Sequence, residues 1–410
     1  MIHEETAPMN ERPLFRNIMA VPADGEGEGM IALHDQENYS TQSLVVSPTA
    51  YYLMTLMDGA RDIEKIEEEF FRISGQRVGV ENLRGLVKSL DNALLLDNKR
   101  FKGRKEALRK EFLALPSRPS ALAGKSYPAD SVELATALDA SLAGEPCADP
   151  SLLKAIVVPH IDFRVGGDLM GAGWREVADS DARIYVILGV GHSLSEDFVS
   201  CLDKDFDTPV GAMRVNSAFI SSLEENFGES VCAQPEVHRN EHSVEFQSLF
   251  MARLFSGKPE VTAVPILLSF PETVWEMDHP KFNGARVDRF VEALRKTADE
   301  CGSRVLFVAS VDFCHVGRRF GDGQALDDHE LSRIENDDMK LIARIKEGDL
   351  AGFMEEIHKV NGANKVCGFP ALFTMMKVTG PAKGGLLGYR QSVEGDGENV
   401  VTFAAMTIGG

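Results

Sequence analysis

Ile184-Tyr185-Val186-Ile187-Leu188-Gly189-Val190-Gly191-His192 decides the fold class. Its apolar, partly β-branched run has the pattern of a strand buried on both faces, and the glycines after it let the backbone approach closely whatever binds at the strand's end. The layout recurs upstream in Ala155-Ile156-Val157-Val158-Pro159-His160, where Pro159 keeps Val158 extended and ends the strand. It recurs downstream in Val305 to Ala309, followed by Asp312-Phe313-Cys314-His315. Ligands bind open α/β sheets beyond the carboxyl ends of the strands, so these loops are predicted to converge.

Further strands are predicted at Val261 to Leu268, Gly385 to Tyr389 and Val400 to Ile408, with helices at Ser131 to Leu142, Val287 to Glu300 and Asp327 to Ile345. The last two strands are close enough in sequence to pair as an antiparallel ribbon at one edge. The expected fold is α/β, with a mixed central sheet and helices on both faces, over residues 118–410.

Upstream the texture differs. Residues 1–40 mix Pro, Gly, Asp and Glu without a period, and read as an irregular leader completed by a small hairpin. Ser47-Pro48 is an N-cap and first-turn pair, and helical spacing follows through Met57, at Ile63 to Phe71 and at Val80 to Leu90. With Ala93 to Asp97 as a strand, residues 41–100 would form a winged-helix-like module. This module resembles peptide-binding domains of the PqqD type. Residues 101–117 read as a linker helix whose basic run, Lys102 to Lys110, is best taken as a solvated face.

The chain has 410 residues, 43 Lys and Arg against 63 Asp and Glu, and a formal net charge of -20. That balance argues against nucleic acid or an anionic membrane as partner. The module itself holds eight Lys/Arg against nine Asp/Glu, which favours a protein or peptide contact over a duplex. No run is long and apolar enough to span a membrane and the first thirty residues lack a signal-peptide pattern, so a cytoplasmic protein with reduced thiols is expected.

Two histidines and a thiol at equivalent strand exits suit Fe(II) or Zn(II), with a position left open for substrate or water. His160, His192 and Cys314 are therefore the candidate ligands. By its own context Cys314 is equally a nucleophile or a small buried residue. Cys367, before Gly368-Phe369-Pro370, reads as a structural thiol. His238-Arg239-Asn240-Glu241-His242 matches H-x-x-E-H, the pattern of inverted zinc peptidases, but Pro235 lies where that helix would have to begin. Glu241 and His242 are better placed as acid/base or supporting groups.

Pro159-His160, Gly189-Val190-Gly191-His192-Ser193, Glu241-His242-Ser243-Val244-Glu245, Asp312-Phe313-Cys314-His315-Val316-Gly317 and Cys367-Gly368-Phe369-Pro370 occur in the order found in Memo proteins, whose prokaryotic members are called AmmeMemoRadiSam system protein B. The resemblance spans about Ser117 to Gly410, and includes Ala123-Gly124-Lys125-Ser126-Tyr127 near its start. It implies a fold similar to class III extradiol dioxygenases and a metal pocket whose two histidines and cysteine fall on His160, His192 and Cys314. Glu241, His242 and Asp312 fall on the pocket wall as catalytic candidates.

The dioxygenases complete their iron site with a carboxylate, and a thiolate in that place changes the iron's electronics and is oxidisable. Ile161-Asp162-Phe163 also departs from the family's usual Ala-Gly-Tyr. The resemblance implies a non-haem Fe(II) oxidoreductase acting on an unknown small molecule, with Zn(II) or Cu as alternative metals. Its rivals are a non-catalytic metal-binding or scaffold protein serving a radical SAM partner, and a zinc hydrolase.

Overall fold

In the computed structural model, residues 12–23, 29–35, 37–40, 44–323, 326–395 and 397–409 are described. The chain divides into two compact units, Met1–Ala114 and Leu115–Gly410.

In the first unit β1 (Met19–Pro22), β2 (Ile31–His34) and β3 (Leu44–Val46) form an antiparallel sheet, followed by α1 (Pro48–Thr55), α2 (Ile63–Ser74), α3 (Val80–Asn92) and α4 (Lys99–Ala114). The Ser47 hydroxyl accepts from the Ala50 N–H at 3.2 Å, and Pro48 takes the first helical position, where its missing N–H costs nothing. Asp62 caps α2, and Gly75 ends it at φ 69°, a left-handed conformation that glycine adopts without a Cβ penalty.

The stretch expected to be an irregular leader supplies β1 and β2, because Ile18 and Leu33 reach the core made by Leu53, Ile66, Leu83 and Leu90. Ala93 to Asp97 forms no ladder. Leu94 sits at φ 60°, which interrupts an extended run, and Leu96 makes only an isolated bridge to Phe15.

The second unit runs α5 (Ser131–Leu142), β4 (Ala155–Val158), α6 (Phe163–Arg175), β5 (Ile184–Val190), β6 (Val199–Cys201), β7 (Phe206–Thr208), β8 (Gly211–Met213), α7 (Ser217–Phe227), α8 (His242–Leu254) and β9 (Thr262–Leu268). It continues through α9 (Gly284–Glu300), β10 (Val305–Ser310), β11 (His315–Gly317), α10 (Asp328–Glu347), α11 (Leu350–Asn364), α12 (Phe369–Thr379), β12 (Gly384–Glu394) and β13 (Asn399–Ile408). The sheet order is β11-β13-β4-β10-β5-β9-β6. β4, β10, β5 and β9 are parallel; β13 and β6 flank them antiparallel, and β12 pairs along β13.

The parallel strands are buried throughout, and the period of two sends alternate residues to opposite layers. Val157, Val186, Leu188 and Ile266 pack with α7, α9 and α12. On the other face Tyr185 meets Trp174 of α6, with ring centroids 5.8 Å apart. Gly173 lets α6 lie directly on β4, since a Cβ there would come within 2.3 Å of Val158 Cγ1. The mixed sheet with helices on both faces is the architecture read from the sequence, and β12–β13 is the antiparallel ribbon expected near its end. No helix among the described residues is long and apolar enough to cross a membrane.

A carboxyl is also buried away from the strand rim. Asp338 of α10 is fully buried, accepts from Tyr389 Oη at 2.8 Å, and has no hydrogen-bond partner at Oδ1. Burial pushes its carboxyl up to about 7, against the hydrogen bonds from Thr402 and Tyr389. A carboxyl raised in the fold is protonated there while its unfolded counterpart is ionised, so its contribution to stability declines as pH rises from the unfolded value to about 7 and is constant above. Asp338→Asn removes this dependence. Denaturant titrations should show the variant's stability relative to the parent rising from pH 5 to about pH 7 and level above, by up to about tenfold in the folding constant per unit crossed. A difference that is flat with pH would contradict an Asp338 that is neutral in the fold.

Candidate metal centre

Three loops at the carboxyl ends of parallel strands, together with the start of α8, supply the site. His160 follows β4, His192 follows β5, Asp312 follows β10, and His242 is the first residue of α8. The His160 and His192 ring centroids lie 5.3 Å apart, His160 and His242 5.1 Å, and His192 and His242 4.7 Å. One ligand atom from each of the three lies within 4.8 Å of the others. Three donors on one ion at about 2.1 Å lie about 3.0 to 3.6 Å from one another, so a pair at the wide end of that spread would close by about an ångström on binding.

The far side of each ring is already engaged. His160 Nδ1 is 2.8 Å from the Ser310 carbonyl, which can only accept, so Nδ1 carries the proton and Nε2 presents its lone pair. His192 Nδ1 lies 3.0 Å from Glu241 Oε1, and His242 Nδ1 lies 3.3 Å from the same oxygen. Holding Nδ1 with a carbonyl or carboxylate is how proteins orient an imidazole toward a metal through Nε2. The donor set therefore fits a divalent transition metal.

Glu241 does more than orient two rings. Its carboxylate accepts from the His192 backbone N–H at 3.1 Å and from the Ser243 N–H at 3.0 Å, which caps α8. Burial opposes its charge, but His192, His242 and the Ser243 N–H outweigh burial and hold the carboxyl well below its ordinary range. In the metal-free protein His192 is the converse case: burial disfavours its charge, and Glu241 overrides that and holds it well above the usual imidazole value. Burial first, then the neighbouring imidazoles, holds His160 well below the ordinary value and His242 at about 4.

Asp312 adds a buried carboxyl. Its Oδ1 accepts from the His160 backbone N–H at 3.0 Å, and its Oδ2 is 3.7 Å from His160 Nε2. Burial raises it to about 7 despite the backbone donors of His160 and Ile161. His315, two residues before the end of the same loop's short strand, is held neutral, at about 4, by burial and by the charges of His192 and His242.

The structure does not bring Cys314 to the rings. Its N–H donates to Thr402 Oγ1 at 2.8 Å and its carbonyl accepts from the Thr402 N–H at 3.0 Å, so the residue is zipped to β13. Its side chain packs with Val316 and Ile334, on the side of Asp338. The thiol at the rings is Cys367, with Sγ 3.5 Å from His160 Nε2. The signal for it was Gly368: a Cβ there would lie 2.6 Å from Val311 Cβ and 2.7 Å from the Asp312 carbonyl, so only glycine brings this turn onto the Asp312 loop. His238 is likewise elsewhere. Residues Pro235–Arg239 form a 3-10 turn, and its ring faces the Ser200 carbonyl at 3.1 Å and Phe206, so the H-x-x-E-H helix does not exist.

The family model for Memo-like proteins matches residues 118–407. The chain belongs to the Memo-like family. A MEMO1 family protein of Aquifex aeolicus is 27% identical over 371 residues, covering 90% of this chain and 93% of its own length. A Thermus thermophilus member is 27% identical over 82% of this chain and 96% of its own length. A Methanopyrus kandleri member is also 27% identical, over 71% of this chain and 98% of its own length. The Aquifex match extends beyond the Memo-like region into the N-terminal unit, since that region alone is shorter than 371 residues.

Within the Memo-like unit the approach of α8 to β5 is set by Gly189, where a Cβ would lie 2.6 Å from Ser243 Oγ. That hydroxyl donates to the Val190 carbonyl at 3.0 Å, next to the His192 loop. One turn further along α8, Glu245 pairs with the fully buried Arg118 and accepts from Tyr127 Oη at 2.5 Å, so the Ala123-to-Tyr127 segment is pinned to the same helix. For Glu241→Gln, which keeps the shape but loses the charge at both rings, chelator competition with Zn(II) should show affinity lower by about 10- to 100-fold. His238→Ala should leave affinity unchanged. Equal losses in both variants would mean that Glu241 acts through the fold rather than through the rings.

Proposed function

We propose that this Memo-like protein holds a single Fe(II) ion on His160, His192 and His242, with the Cys367 thiol beside them, and is an oxidoreductase for a small molecule. The observation that carries the proposal is the set of three imidazoles turned to one point with every Nδ1 otherwise engaged. Zn(II) and Cu suit the same donors, and a soft sulfur beside imidazoles suits a redox-active metal.

Bound iron would supply open coordination positions and one-electron chemistry. The chain's own residues do the rest. Glu241 fixes the His192 and His242 rings, which removes His242 from the acid/base role its sequence context suggested. Proton transfer falls to Asp312, whose Oδ2 lies 3.7 Å from His160 Nε2 and whose carboxyl burial raises to about 7 in the metal-free protein. Substrate would enter from an open recess that His192 and Cys367 both line.

The N-terminal unit is proposed, on its balanced charge, as a contact for a protein or peptide partner, a radical SAM enzyme among them. A protein without chemistry at this site is the rival account.

Anaerobic reconstitution with Fe(II) should give one ion per chain by elemental analysis, His160→Ala should abolish stoichiometric binding, and Cys314→Ala should retain it. Oxygen uptake should then appear with some member of a panel of small aromatic substrates. Stoichiometric iron with no uptake for any compound would favour the metal-binding scaffold, and iron retained in His160→Ala would remove the site as drawn.

A further inference from the structure

The recess beside the rings has a composition that bears on what it admits. It has a volume of about 320 Å³, and Phe270, Phe282, Phe369, Pro271 and Pro370 form its walls. His192 and Cys367 stand at one end. Among its described lining residues there is no Lys, Arg, Asp or Glu; the polar members are His192, Ser269, Asn361 and Cys367. His192 Nδ1 lies 3.0 Å from Glu241 Oε1.

A carboxylate also stands beside one wall residue. Asn361 donates through Nδ2 to Glu272 Oε2 at 2.7 Å and accepts the Val366 N–H at Oδ1, also at 2.7 Å. A side chain at the wall thus holds a carboxylate beside the recess. In the metal-free protein a ligand anion against these walls would lose water without gaining a cation from the lining residues, a cost that uncharged walls do not return.

The walls are also preorganised. Phe270 meets Phe369 edge to face with centroids 5.7 Å apart, and meets Phe373 in the same way at 6.1 Å. Trp275 closes the stack from behind, 4.8 Å from Phe373 and 6.3 Å from Phe270. A dry cavity of about 150 Å³ holds one benzene ring, so this recess has room for a ring with a substituent. Aromatic rings meeting edge to face favour such an occupant.

We infer that the walls of the recess, apart from any bound ion, select an uncharged, ring-sized molecule with an apolar body over ring carboxylates and phosphates. The inference rests on the proposed metal site only for where the ligand's polar end points, since the walls themselves need no ion.

Trp275 supplies a readout separate from turnover, because the other tryptophan, Trp174, is fully buried against Gln247. Fluorescence titrations of the full chain, chelator-treated and Zn(II)-loaded, compare 4-methylphenol with its isostere 4-hydroxybenzoate and with phenyl phosphate. Trp275→Phe controls for the signal. The neutral phenol should bind at least tenfold more tightly than either anion in the chelator-treated protein, and Zn(II) loading, which adds a dication at one end of the recess, should narrow that margin. Ser269→Arg, which adds a cation to the wall, should reverse the order. Anions that bind the chelator-treated protein as well as the phenol does, or no saturable signal from the phenol, would overturn the inference.

The two proposals fail separately. Phenol selectivity in a protein that takes up no metal sinks the metal centre and leaves the recess standing, whereas stoichiometric metal with anion preference in the chelator-treated protein does the opposite.

Discussion

The Glu241 carboxylate is the constraint on which the rest of the site depends. One group takes the His192 backbone and ring, reaches the His242 ring, and caps the helix that begins at His242. Two candidate ligands from separate parts of the chain are thereby set by a single buried charge. Removing a partner from a buried ion pair strands the other charge at a cost of several kcal/mol, so the arrangement is held from both sides.

The scaffold around it is built for close approach. Gly189 admits Ser243 to the end of β5, and Gly368 admits the Cys367 turn to the Asp312 loop. Gln247 of α8 donates to the Pro159 carbonyl at 2.9 Å and to Ser310 Oγ at 2.8 Å, tying the helix to the ends of β4 and β10. The parallel strands are hydrogen-bonded on both sides, so the loops that leave them inherit a rigid base. The rim of the sheet is the one place where polar groups from several strands can face a common point without breaking the apolar layers.

The fold of the second unit was legible because its strands are continuous apolar runs bounded by Gly or Pro, and such runs have few alternatives. The three-residue strands β6, β7, β8 and β11 were not, since runs so short have no period to detect. In the first unit, Leu94 at positive φ ended an apolar segment that its composition would have kept extended. His160 and His192 could be singled out by position alone, at strand exits. The thiol could not: Cys314 and Cys367 both sit in turns at the same rim, and what separates them is the pairing of Cys314 with Thr402 of β13, a contact between residues 88 apart. His242 was read as an acid/base group once Pro235 had argued against a helix running from His238; its place beside the other two rings follows from Asn240 ending the preceding turn and Glu241 capping the helix that begins at His242, which no local pattern displays.

The central claim is that His160, His192 and His242 bind one metal ion through Nε2. X-ray absorption at the metal edge of anaerobically Fe(II)-loaded protein, together with a crystal structure of that form, measures this directly. The account predicts three imidazole nitrogens at about 2.1 Å, with Glu241 still on the Nδ1 side of two of them. An ion bound elsewhere, or one held by Cys314 with the His242 ring turned away, would contradict it.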